Sequence, residues 1–368
     1  MVSNINREVA RRILNEIRIH NTNAGGTMTA IIGSKGCGKT HLLTRLSHQV
    51  VFLHPIRQEA VLETVIWRGR TLDYWNWMYA PDFEWEAPEF QRKVYVHYHE
   101  EDSPTFVDEL GQAVAFPPDA LKTYRTARDL HEHLELGEIN VIYEPSRYRM
   151  TRGMRDILTA RACASPGTLD DLEIDPPLWW VEFLFYLLQF KKAGFLTVVL
   201  DEADEIFPQA SSGIRWHIQA LFCDSAKDFR KANISLIYSI HDLTDLDYRL
   251  RSKTQYWGYM RGARPKPGSL LGRTAALMLP IGEVIFERDG YGNTNLGKLQ
   301  ERPRVRTLFL TGTGDPAAWE EYIDDEDAAP LSLTCPLCGH TWIPRVIAPR
   351  FCPNCKAALD YEEVIDSV

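Results

Sequence analysis

Eight consecutive residues, Gly33-Ser34-Lys35-Gly36-Cys37-Gly38-Lys39-Thr40, follow the pattern G-x-x-x-x-G-K-[ST]. Glycines let successive amide N–H groups turn inward around phosphate oxygens, and the N-terminus of a following helix adds favourable potential for an anion. In that chemistry Lys39 reaches the β- and γ-phosphates and the Thr40 hydroxyl sits on Mg²⁺, with His41 closing the nucleotide-binding set. The flanks fit this reading. Met28-Thr29-Ala30-Ile31-Ile32 is a short apolar run with β-branched residues, as a buried parallel strand requires. His41 to Leu46 carries helical spacing.

Two carboxylates complete the chemistry further along. Phe195 to Leu200 is an apolar strand ending in Asp201-Glu202, the Walker B pattern. Asp201 can hold Mg²⁺ through water, and Glu202 can orient the water that attacks the γ-phosphate. A pair of carboxylates points to hydrolysis rather than a passive nucleotide switch. Ile234 to Ile240 is a further buried strand, ending in His241-Asp242. In P-loop ATPases with an added strand between the two Walker strands, a polar residue at this tip senses the γ-phosphate. His241 fits that place, with an ordinary strand-end histidine as the alternative. Arg230, at the head of the same strand, could project into a neighbour's site as a finger that neutralises transition-state charge.

Four of the seven cysteines form a second constellation, Cys335-Pro336-Leu337-Cys338 and Cys352-Pro353-Asn354-Cys355, separated by 13 residues. Two such knuckles set four thiolates for one tetrahedral Zn²⁺, and an all-cysteine set favours a closed structural site over a catalytic one. The separation is slightly shorter than the usual range of about 15–20. The tail resembles a zinc ribbon, small enough to need metal to fold and of a kind that docks protein or nucleic acid. His340 is a bystander in this reading.

These sites need elements to hold them. At about 150 residues per domain, 368 residues suggest two or so. The expected organisation is a helix over 1–20, an ATPase domain over 21–314 with an insertion at about 68–139, an acidic linker over 315–330 and the ribbon over 331–368. Val61 to Trp67, Lys93 to Tyr98 and Asn140 to Tyr143 read as strands, and Leu178 to Phe190 as a buried helix opened by Asp175-Pro176-Pro177. That apolar stretch is too short to span a membrane, which takes about 20 residues. No secretory signal is visible, and the cysteine pattern suits a reducing, cytoplasmic setting. In the insertion, Trp75, Trp77, Tyr79, Phe83, Trp85 and Phe90 crowd together. They could stack bases or form a satellite core.

Net charge is −9, but 11 of the 50 acidic residues and only 3 of the 41 basic ones lie from Asp315 onward. The body before Asp315 is therefore near neutral, and it can still present a basic inner surface. The densest basic run is Arg147, Arg149, Arg152, Arg155 and Arg161, with Tyr148 interleaved. Such a run can track a phosphate backbone, or be a solvated helix face or subunit contact. Arg249, Arg251, Lys253, Arg261 and Arg264 form a second candidate stretch.

Several segments together resemble the FtsK–HerA superfamily of DNA-pumping ATPases: Asp201-Glu202-Ala203-Asp204-Glu205-Ile206-Phe207-Pro208, Phe229-Arg230-Lys231, Asp242 to Asp247, and Leu279-Pro280-Ile281-Gly282-Glu283. The likeness covers roughly residues 25 to 310, in the family's order. It departs at the sensor, where His241 follows Ile240 in place of the usual glutamine after threonine. With few residues before Gly33, the N-terminal barrel of HerA is not expected here. The resemblance implies an α/β, RecA-like P-loop NTPase core of the added-strand (ASCE) type, with a mainly parallel sheet flanked by helices. It implies a homo-oligomer, a hexameric ring with ATP between subunits, Arg230 as finger and double-stranded DNA through the centre. A regulatory or scaffold ATPase that docks a protein through the ribbon is the alternative from another class. An AAA+-type loader would want a helical lid with a second sensor arginine, whereas Val284 to Glu287 and Val305 to Leu310 read as strands.

Overall fold

Five consecutive buried residues make β1, Met28–Ile32, and alternate side chains go to opposite faces of one sheet. The computed structural model describes residues 26–49, 51–53, 60–70, 72–73, 92–107, 112–113, 116–160, 173–189, 195–229, 231–288, 293–298, 307–312, 333–335, 337–342 and 351–357. The expected helix over 1–20, the aromatics Trp75 to Phe90, Arg161, Arg230 and the linker over 315–330 lie outside these residues.

The remaining strands of this sheet are β2 Thr64–Arg68, β3 Val94–His99, β4 Leu121–Tyr124, β5 Ile139–Ile142, β6 Leu196–Leu200, β7 Ile234–Ile240, β8 Tyr256–Tyr259, β9 Glu283–Arg288 and β10 Asn293–Lys298. They lie in the order β10-β9-β8-β1-β7-β6-β2-β5-β3-β4. Every pairing from β8 to β4 is parallel, and β9 and β10 add an antiparallel edge. The fold is thus α/β with a mainly parallel sheet, and β7 lies between the two strands that carry the phosphate-loop and carboxylate motifs.

Helices cover both faces, as a parallel sheet requires. On one face α1, Lys39–Gln49, buries Leu42, Leu43 and Leu46 among Val65, Trp67 and Ile237. Each leucine so buried contributes about 1.5–3 kcal/mol and fixes the start of the helix beneath the loop. On the other face lie α2 Ala127–Glu132, α3 Arg152–Ala160, α4 Trp179–Gln189 and α5 Gly213–Phe229. In α4 every residue from Trp179 to Leu188 is buried, and Trp179 stacks between Tyr124 and Phe183. Among the described residues no helix is long and apolar enough to cross a membrane. Two short helices, α6 Tyr248–Arg251 and α7 Arg273–Met278, precede and follow β8.

Two expectations are refined. The run from Val61 to Trp67 is not one strand: Ala60–Leu62 pairs with Val51–Leu53, and only Thr64–Arg68 joins the main sheet. Glu63 separates them, its side chain turned in to the Thr197 hydroxyl and its carbonyl accepting from Arg92 at 2.6 Å. The segment 68–139 supplies β3 and β4, so it extends the central sheet as well as carrying the aromatic cluster.

Candidate nucleotide and zinc sites

The sheet order decides which loops meet. The loop after β1, the tip of β7 and the tip of β6 stand side by side at one end of the sheet. Ser34, Lys35 and Gly36 are exposed, Cys37 and His41 are buried, and Gly36 and Gly38 take φ of 78° and 105°. These positive values need glycine, and a Cβ at Gly36 would meet nothing within 4 Å. Space is thus open at Gly36, and the first-turn amides of α1 beneath the loop lack intrahelical acceptors.

Lys39 is only 6% exposed. Its ammonium donates to the carbonyls of Gly33 at 2.8 Å and Ser34 at 3.2 Å and lies 3.0 Å from Nδ1 of His241. The Thr40 hydroxyl donates to Oδ2 of Asp201 at 2.6 Å. The other Asp201 oxygen accepts from the Ser239 hydroxyl, whose oxygen accepts from the Glu202 amide at 3.0 Å. A hydroxyl and a carboxylate facing one another across the loop are the hard oxygen ligands Mg²⁺ takes, so Thr40 and Asp201 fit that ion.

Glu202 holds φ of 53°, a left-handed conformation uncommon outside glycine, asparagine and aspartate. Its neighbours fix it: Ser239 takes its amide, and Arg68 donates to the carbonyls of Asp201 at 3.2 Å and Glu202 at 3.3 Å. The Glu202 side chain pairs with Arg70 and lies 3.3 Å from Nε2 of His241. An ammonium can only donate, so Nδ1 of His241 accepts from Lys39 and Nε2 carries the proton toward Glu202. Burial alone would push the Glu202 carboxyl up, but the charge of Arg70, then the neighbouring His241 with its hydrogen bond, outweighs it and holds the group below its ordinary value. Glu202 is therefore ionised, and His241 bridges it to Lys39.

Sequence reading missed Arg68 and Arg70. Arg68 is fully buried between Glu144, at 2.6 Å, and Glu205, at 3.1 Å, with Trp180 donating to Glu144 at 2.6 Å. Arg70 pairs with both Glu202 and Glu205. The available signal was an Arg-Gly-Arg at the end of a predicted strand, informative only once β2 is known to lie beside β6.

The basic candidates separate into two kinds. Arg152 is exposed, and Arg147, Arg149 and Arg155 are half-buried. Tyr148 cannot stack on bases: it is 3% exposed, and its hydroxyl donates to the buried Glu182. It anchors the run instead. Arg249 is clamped by Asp247 at 2.6 Å and lies over the Trp216 ring at 4.9 Å, so its charge is already matched. Arg251 donates to Gln209 at 2.8 Å, Arg264 pairs with Asp242 at 2.9 Å, and Lys253 is turned onto the Cys223 carbonyl. Arg261 is exposed.

In the tail, the thiols of Cys335, Cys338, Cys352 and Cys355 lie within 4.8 Å of one another. Sulfurs of Cys335 and Cys355 stand 3.6 Å apart, and those of Cys338 and Cys352 stand 3.7 Å apart. These are too far for a disulfide, at about 2.05 Å. They match the edges of a tetrahedron with metal–sulfur bonds of about 2.3 Å. The four residues fit zinc. Metal analysis of the purified chain should find about one Zn²⁺ per molecule, and Cys352→Ser should remove it. A tail that folds without metal contradicts this reading.

No protein-family model matches the chain, and no curated protein matches its sequence. Among solved structures, the genome packaging NTPase B204 from Sulfolobus turreted icosahedral virus 2, in complex with ATP-gammaS, is 13% identical. That match covers 75% of this chain and 98% of that one, with a TM-score of 0.38. The cytoplasmic domain of the type VII secretion ATPase EccC from Thermomonospora curvata is 14% identical, covering 77% of this chain and 24% of that one, with a TM-score of 0.33. The N-terminal domain of zonular occludens toxin from Neisseria meningitidis is 11% identical, covering 81% and 98%, with a TM-score of 0.28.

Proposed function

We propose that this FtsK–HerA-like P-loop ATPase hydrolyses ATP within a homo-oligomer, a hexameric ring, and uses the cycle to move double-stranded DNA. One observation carries the reading: the Thr40 hydroxyl meets Asp201 while Glu202, ionised, stands at the same strand tip. Lys39 would take the β- and γ-phosphates, Thr40 and Asp201 the Mg²⁺, and Glu202 the attacking water. An arriving γ-phosphate competes with His241 for Lys39, so His241 can report its presence to Glu202.

Arg230 would complete the site from the adjoining subunit. Of the basic candidates, Arg147, Arg149, Arg152 and Arg155 are the ones we assign to DNA. Arg251 retains a guanidinium engaged only by a neutral amide among its described contacts, whereas Arg249 serves as a strut. A ring multiplies a few arginines, so a near-neutral subunit can still line a basic channel. The zinc ribbon would dock a protein partner in an intracellular setting. A nucleotide-dependent assembly switch is the second reading. It is favoured by the capture of Glu202 by Arg70, which idles the carboxylate until something displaces the arginine.

The trans arrangement has a direct test. Arg230→Ala should lose turnover yet keep ATP affinity. Mixed with Lys39→Ala subunits, which still supply the arginine, it should regain part of the rate. Two inactive variants that stay inactive together would remove Arg230 from the neighbour's site.

A further inference from the structure

The strand order fixes which way a bound triphosphate runs. Asp201, Glu202 and His241 stand at the ends of β6 and β7, on one side of Gly33–Thr40. The phosphate under attack must lie there, so the nucleoside leaves toward the other side of β1, where β8 and β9 stand. That wall is built against the loop. The Ser34 amide donates to the Arg261 carbonyl at 2.9 Å, and the Gly282 amide donates to the Cys37 carbonyl at 3.0 Å. A Cβ on Gly38 would come within 3.5 Å of the Met260 methyl and 3.7 Å of the Gly282 Cα.

This wall also exposes apolar side chains. Met278 is 78% exposed, Ile281 56% and Leu277 50%, while Ala276 and Leu279 beside them are buried and pin the segment. Large exposed apolar groups on a segment whose Gly282 amide bonds to the phosphate loop call for an occupant. Resting on the nucleotide reading above, we infer that Met278 and Ile281 form the platform for the nucleobase of the nucleotide whose phosphates fill Gly33–Thr40. A base offers an apolar face to such groups. Neither side chain has a strong hydrogen-bonding group to read the edge of the base, so the platform distinguishes adenine from guanine weakly.

The test uses the full-length chain carrying Met278→Ser and Ile281→Ser, exposed positions whose polar replacement leaves folding intact. MgATP and magnesium tripolyphosphate are titrated separately by calorimetry, beside a native mass. ATP affinity should fall about tenfold or more, with tripolyphosphate affinity unchanged. Unchanged ATP affinity overturns the platform while leaving the loop reading in place, provided the wild type binds tripolyphosphate. Parallel loss of both ligands overturns it by showing a distorted loop. Loss of oligomer with ATP affinity kept assigns the patch to a second copy of the chain, which also overturns it. A wild type that binds neither ligand removes the nucleotide reading and the platform together.

Discussion

Glu202→Gln binds ATP as the wild type does and turns it over about 10²–10⁴-fold more slowly, the usual contribution of a positioned catalytic base. The substitution keeps the shape of the side chain and its acceptor toward His241. It removes only the charge that polarises water. Arg70 is not stranded by the change, because Glu205 remains paired with it at 2.6 Å. Stability should therefore change little, and the loss should fall on the rate. Steady-state ATPase assays beside equilibrium ATP binding separate the two effects. An undiminished rate would take Glu202 out of the chemistry.

Lys39→Ala acts one step earlier. The Lys39 ammonium is nearly buried, held by two loop carbonyls and His241, and nothing else described in the loop can place a positive charge at that point. Losing one partner of a buried charged pair costs about 2–5 kcal/mol, which is about thirtyfold or more in Kd. ATP titration should show this loss, with circular dichroism confirming that the sheet is intact. Wild-type affinity in the variant would mean that nucleotide binds elsewhere or without this lysine.

What could be read from the sequence was what is local in the chain. The phosphate loop needs eight consecutive residues, and the carboxylate pair needs one apolar strand ending at Asp201-Glu202. The zinc knuckles are each four residues long, so their pairing followed from type and spacing. The buried helix at Trp179–Gln189 was legible because all but Glu182 and Gln189 of its residues are apolar or aromatic. What could not be read depends on strands meeting across long stretches of chain. Arg70 reaches Glu202 over 132 positions, and Ser239 supports Asp201 only because β7 lies against β6. The alternation at 93–98 announced a strand but not that it extends the central sheet beyond β5. Arg249 was read as a DNA-contact candidate, and its pairing with Asp247, two residues earlier, became visible only in the structure. Arg230 and the aromatic cluster remain sequence-based proposals.

Coupling between a nucleotide site completed by a neighbour and the movement of DNA is the central claim. ATPase rate measured with and without duplex DNA, on protein whose native mass is determined in the same buffer, tests it most directly. The predicted result is an oligomer whose turnover rises when duplex is added. A monomer that hydrolyses ATP at one rate whether or not DNA is present would contradict it.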